Sequence, residues 1–279
     1  MSIDAAWDFY LSARGAALRN HADADGAAVA IERARARLKT HFDMMDADAT
    51  ITARRSFLYT ADAAFHDQLL ASGRIDVLRA AVESIVADIA LPKGGALAIS
   101  LHYGPATALL PLWIAAASAR GLIPEFGVIE NSRRNPSVML SPARHAALAR
   151  NGFPLSDLDI ATLGECGALR RALAILRRGG IVLIFADGQL PPPDARRGLV
   201  CRLGRRELRL PEGAQWLAQA AGVPLLPLLV RPQGDSHRIV GLPLEAPCNA
   251  PLAMQALIDA AMAGDPAPWW RWTCSADHL

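Results

Sequence analysis

His102 ends an apolar run, Ala96-Leu97-Ala98-Ile99-Ser100-Leu101, and is followed by Tyr103 and a Gly104-Pro105 turn. A neutral imidazole in such a place can take a proton from an alcohol or amine as it attacks a thioester, then return it to the leaving thiol. It needs an acceptor that orients its other ring nitrogen. The plainer use of the same residue is a packed, hydrogen-bonded turn histidine. A second edge of this kind, Ile181 to Ala186, ends at Asp187, Gly188 and Gln189. Asp187 can cap its own loop, orient His102 or hold a substrate amine; Gln189 can donate to a developing oxyanion. A third edge ends at Glu130 and meets Asn131-Ser132-Arg133-Arg134-Asn135-Pro136. Glu130 either pairs with surface arginines or belongs to a loop in which Arg133 and Arg134 read the phosphates of coenzyme A or phosphopantetheine, because guanidinium forks match phosphate.

These edges need a sheet to carry them. Residues 1–90 read as a helical N-terminal region packed on the core, with apolar spacing near 3.6 over Val29–Leu38 and Ile75–Val86. Pro92-Lys93-Gly94-Gly95 breaks that pattern, and strands and helices then alternate through 91–279. Strands are predicted at about 96–101, 125–130, 154–160 and 181–186, with helices at about 106–119, 136–150 and 165–178. Leu199 to Leu210 reads as an antiparallel ribbon turning at Leu203-Gly204. A helix runs from Pro211 to Gly222, Val223–Val230 is a buried strand, and His237–Gly241 pairs with it. Helices follow at about 250–263 and 266–276. Alternation of this kind predicts an α/β fold with a mixed, largely parallel sheet flanked by helices.

Composition narrows the function. The chain has 279 residues, 52% of them apolar, and a net charge of +2. That balance gives no field for nucleic acid. The scattered Cys166, Cys201, Cys248 and Cys274 form no CxxC pair, so a metal site is not expected and reduced thiols in the cytoplasm are. The acidic N-terminus reads as neither a signal sequence nor a membrane anchor, and Gly104–Ser118 is too short to span a bilayer. Any membrane contact is expected to be peripheral, at the inner membrane. Arg196 to Arg209 holds six arginines, either a solvated ribbon face or a docking face for an acidic carrier protein or lipid headgroups. GxSxG, GxGxxG and Walker motifs are absent, which argues against a serine hydrolase, a dinucleotide enzyme and an NTPase.

From His102 to Trp272 the chain resembles the lipid A biosynthesis lauroyl/myristoyl acyltransferases of the lysophospholipid acyltransferase-like superfamily. The likeness lies in His102 after its strand, Gly179–Gln189, Val200–Gly204, Glu212–Pro227 and Pro268-Trp269-Trp270-Arg271-Trp272, in that order. It implies acyl transfer from an acyl carrier protein or coenzyme A thioester, with no other cofactor, and His102 as general base. The acid that the family places five residues after its histidine falls on Thr107 here, so Asp187 or Glu130 is the expected orienting acid. The family's membrane-anchoring first helix has no counterpart in residues 1–25. A soluble enzyme acting on a small or carrier-bound hydroxyl or amine acceptor, as in specialised-metabolite biosynthesis, is the resulting expectation. Tyr103, Thr107, Arg133, Arg134 and Gln189 would bind substrate, and Leu109, Leu110 and Trp113 would line an acyl groove or pack the core. The alternatives are a peripheral lipid acyltransferase, an inactive relative that binds acyl carriers or lipid, and a thioesterase-like hydrolase.

Overall fold

The computed structural model describes residues 3–22, 26–87, 89, 91–130, 142–188, 198–242 and 249–273. Four helices come first: α1 (Ile3–Ala22), α2 (Ala27–His41), α3 (Asp46–Ala71) and α4 (Ile75–Glu83). They are followed by β1 (Val86–Ala87), β2 (Ala96–Ser100), α5 (Ala106–Ala119), β3 (Phe126–Glu130), α6 (Pro142–Arg150), β4 (Ser156–Asp159), α7 (Ile160–Leu163), α8 (Glu165–Arg177) and β5 (Ile181–Phe185). The ribbon β6 (Leu199–Leu203) and β7 (Arg206–Leu210) leads to α9 (Gly213–Ala221), β8 (Leu225–Gln233), β9 (Ser236–Gly241), α10 (Ala250–Gly264) and a 3-10 turn, Trp270–Trp272.

Seven strands form one sheet in the order β1-β9-β8-β2-β5-β3-β4. Its pairs are parallel except β8 with β9. The sheet is therefore mixed and mostly parallel, flanked by helices, with the helical N-terminal region that the sequence suggested. All five residues of β2 are buried, as expected of a central parallel strand covered on both faces. Alternate side chains divide between the faces. Leu97, Ile99 and Val182 join the core with α8, α9, α10 and the ribbon. Ala98, Ile181 and Leu183 join Phe65, Leu69, Leu78, Leu109 and Ile114 of the N-terminal helices and α5. Each fully buried leucine or isoleucine contributes about 1.5–3 kcal/mol, so α3 and α4 are held chiefly by the apolar face they cover.

A buried polar cluster ties those helices to the sheet. Arg14 on α1 donates to both oxygens of Asp62 on α3, at 2.6 and 2.9 Å. His66, one turn on, donates from Nδ1 to the Asp62 carbonyl at 2.7 Å, leaving Nε2 to accept from the Tyr10 hydroxyl at 2.9 Å. His237 on β9 places Nε2 3.6 Å from Asp62 Oδ2. Burial works against the Asp62 charge, but His237, His66 and Arg14 outweigh it and hold the carboxyl below its ordinary range. Burial pushes His66 down to about 4, so it sits there neutral.

Three elements differ from the sequence reading. The helix expected to run through Val86 stops at Glu83, and Val86 and Ala87 pair with Arg238 and Ile239 as an edge strand. The helix expected over 266–276 is, within the described residues, only the turn Trp270–Trp272. Pro266 and Pro268 are the reason, since a proline biases the residue before it away from helical angles, and Asp265 is extended at φ −163°. The α9 helix starts two residues after Pro211 rather than on it. Among the described residues no helix is long and apolar enough to cross a membrane.

Candidate active site

The β2 and β5 strands are parallel neighbours, with Ser100 opposite Phe185. Each ends two residues before its terminal polar group, so His102 and Asp187 emerge side by side at the carboxyl edge of the sheet, where open α/β sheets bind ligands. Gly104, at φ 58°, turns the chain out of this edge into α5, and its amide donates to the Pro268 carbonyl at 2.8 Å.

His102 Nδ1 lies 2.7 Å from Asp187 Oδ1. The same carboxylate accepts the main-chain amide of His102, at 3.0 and 3.1 Å to its two oxygens. Trp269 and Trp270 donate their indole N–H groups to Oδ2 at 2.6 and 3.2 Å. The Arg271 guanidinium donates to the Asp187 carbonyl and stacks over the Trp270 ring at 4.6 Å. Asp187 is fully buried. Burial disfavours its charge, but His102, Trp269 and Arg271 more than compensate, so the carboxyl stays below its ordinary range. An ionised Asp187 accepts only, so His102 carries its proton on Nδ1 and presents a basic Nε2. No hydrogen bond occupies Nε2 among the described residues. Phe185 and Trp270 flank the ring at 4.8 and 5.1 Å between centroids, and its side chain keeps 16% exposure. The imidazole is held at one nitrogen and open at the other.

The remaining residues singled out from sequence fall differently. Glu130 lies on β3, one strand beyond Asp187, opposite Asp159; no hydrogen bond joins it to His102, whose orienting acid in this geometry is Asp187. Tyr103, expected at the substrate, is buried in the core, and its hydroxyl donates to the Asp265 carbonyl. Leu109 and Leu110 are fully buried core residues, whereas Trp113 lines a shallow groove with Arg79, Arg120 and Phe153. Thr107 donates to Asp67 Oδ1 at 3.2 Å. Arg133, Arg134 and Gln189 lie outside the described residues. Sequence reasoning missed Asp67 altogether. It met the Trp269–Trp272 segment only as a resemblance, although so dense a group of indoles and a guanidinium was a signal that hydrogen-bond donors were needed.

No family model matches the chain, and no curated protein matches it. Among solved structures it is similar to the crystal structure of the 1-acyl-sn-glycerophosphate (LPA) acyltransferase PlsC from Thermotoga maritima, at 13% identity and a TM-score of 0.36, covering 86% of this chain and 96% of that one. A likeness at that level identifies neither family nor activity.

Proposed function

We propose that this protein is an acyltransferase, moving an acyl group from an acyl carrier protein or coenzyme A thioester to a hydroxyl or amine of a small or carrier-bound acceptor. The observation that carries this reading is the His102–Asp187 pair, with Nδ1 anchored and Nε2 open at the carboxyl edge of a parallel sheet. The acceptor O–H or N–H gives its proton to Nε2 as the oxygen or nitrogen bonds to the thioester carbonyl carbon. The imidazolium is stabilised by ionised Asp187. Collapse of the tetrahedral intermediate breaks the C–S bond, and the thiolate takes the proton from Nε2. No covalent enzyme intermediate is involved. Of the two described cysteines, Cys201 is buried with its thiol pushed up to about 11, and Cys166 is exposed. Only the thioester co-substrate is required. The sequence resemblance to lipid A acyltransferases supports the same chemistry; the acceptor in this proposal is small or carrier-bound rather than lipid A, and the location cytoplasmic or at most peripheral.

The test is thiol release from decanoyl-coenzyme A and a decanoyl-carrier protein, with pooled hydroxyl and amine acceptors, for wild type and His102→Ala. Acceptor-dependent release that vanishes in the variant supports transfer. Acceptor-independent hydrolysis makes the protein a thioesterase, and equal background release from both proteins overturns the assignment.

A further inference from the structure

A second carboxylate, on the N-terminal helices, lies within electrostatic range of His102. Asp67, on α3, meets α5 through the Thr107 hydroxyl at 3.2 Å. Thr107 lies in the first turn of α5, five residues after His102 and beyond the Gly104-Pro105 turn. Desolvation pushes the Asp67 carboxyl up to about 6, with the Thr107 bond and the His102 charge acting the other way. The residue itself is exposed to solvent. Acids elsewhere in the fold are matched by cations: Asp62 by Arg14, Asp265 by Arg55, Asp76 by Arg74. No arginine or lysine pairs with Asp67 among the described residues. Thr107 uses one of the roughly four lone-pair positions that a carboxylate offers, and Oδ2 has no partner among the described residues. An accessible carboxylate, short of donors and within electrostatic range of the His102 imidazole, has the chemistry of a receptor for a cation or a hydrogen-bond donor.

We propose that Asp67 is the acceptor-binding carboxylate: it takes the ammonium or hydroxyl that an acceptor carries next to its nucleophilic atom, and it selects cationic or neutral polyhydroxy acceptors over phosphorylated ones. This rests on His102 being the base of the site. Selection follows from charge, since an acceptor phosphate beside Asp67 meets a like charge.

The experiment follows the His102 ring resonances of the intact protein by NMR during titration with ethanolamine and, separately, glycerol 3-phosphate, in wild type, Asp67→Asn and Asp67→Glu. Ethanolamine is expected to shift the His102 signals saturably in wild type, at least tenfold more weakly in Asp67→Asn, and near wild type in Asp67→Glu. Glycerol 3-phosphate is expected to bind wild type at least tenfold more weakly than ethanolamine does, and to gain in Asp67→Asn. If wild type gives no saturable shift with ethanolamine, or if both probes respond alike in wild type and Asp67→Asn, the proposal is overturned. Should Asp67→Asn not fold, loss of the preference in Asp67→Glu overturns it equally. The readout needs no turnover. Ethanolamine binding without thiol release removes the transfer reading alone, and turnover without dependence on Asp67 removes this one alone.

Discussion

Asp187 accepts from His102 twice, from the ring Nδ1 at 2.7 Å and from the main-chain amide at 3.0 Å, so one carboxylate sets both the place and the tilt of the imidazole. Asp187→Asn puts an amide N–H where His102, Trp269 and Trp270 already donate, and it no longer fixes the tautomer. The expected loss in kcat is on the order of 10³–10⁴-fold with KM little changed, as for His–Asp pairs elsewhere. Steady-state kinetics beside an unfolding curve separates this from a collapsed fold.

Trp269→Phe keeps the packing but removes the donor that lies 2.6 Å from Asp187 Oδ2. A buried hydrogen bond to a charged group is worth about 1.5–3 kcal/mol. Stability is expected to fall by that amount and kcat by about tenfold, measured by urea titration and thiol release. Trp270→Phe, whose bond is longer at 3.2 Å, is expected to cost less.

Stability is expected to weaken in mild acid through His66. Its proton affinity is lowered from 6.5 in the unfolded chain to about 4 in the fold. Between those values the unfolded chain binds more protons, so stability is intact above about pH 6.5 and is lost as pH falls towards 4, by up to roughly 3 kcal/mol. Asp62, held below its ordinary range, adds a loss at still lower pH. Urea unfolding from pH 7.5 to 4.5 checks this. Asp67, pushed up to about 6, works with the opposite sign between pH 6 and 4, so the comparison is made against His66→Gln: a pH dependence that is the same in the two proteins contradicts the buried neutral histidine.

Gly204 turns the ribbon at φ 60°, and a Cβ there would lie 2.1 Å from the His41 carbonyl oxygen. Gly204→Ala must strain the turn and push the ribbon off α2. A destabilisation of about 1–3 kcal/mol is expected, read as a lower thermal midpoint. Thiol release measured well below that midpoint should be little affected.

Much of the fold was legible because parallel strands covered on both faces read as unbroken apolar runs, as Ala96–Leu101 and Ile181–Ala186 do. Their terminal polar residues stood out for the same reason. That these two strands are neighbours was not legible, because β3 and β4 intervene in the chain yet lie beyond β5 in the sheet. Choosing Asp187 over Glu130 therefore needed the register. Asp67 gave no signal, being one more polar residue on a long helix with no apolar run ending at it. The tryptophans around Asp187 were obscured by prolines, which made a 3-10 turn of what read as a helix.

The donors to the Asp187 carboxylate come from 85 residues before it and from 82 and 83 residues after it. Contacts this far apart in sequence are slow to form, because the loops between them must close first. The helices and the apolar strand pairs can settle on local and hydrophobic terms while the carboxylate still lacks its indoles. Secondary structure and a working imidazole should then return at different times after dilution from denaturant, and a partly refolded chain would pass for native by circular dichroism while remaining inert.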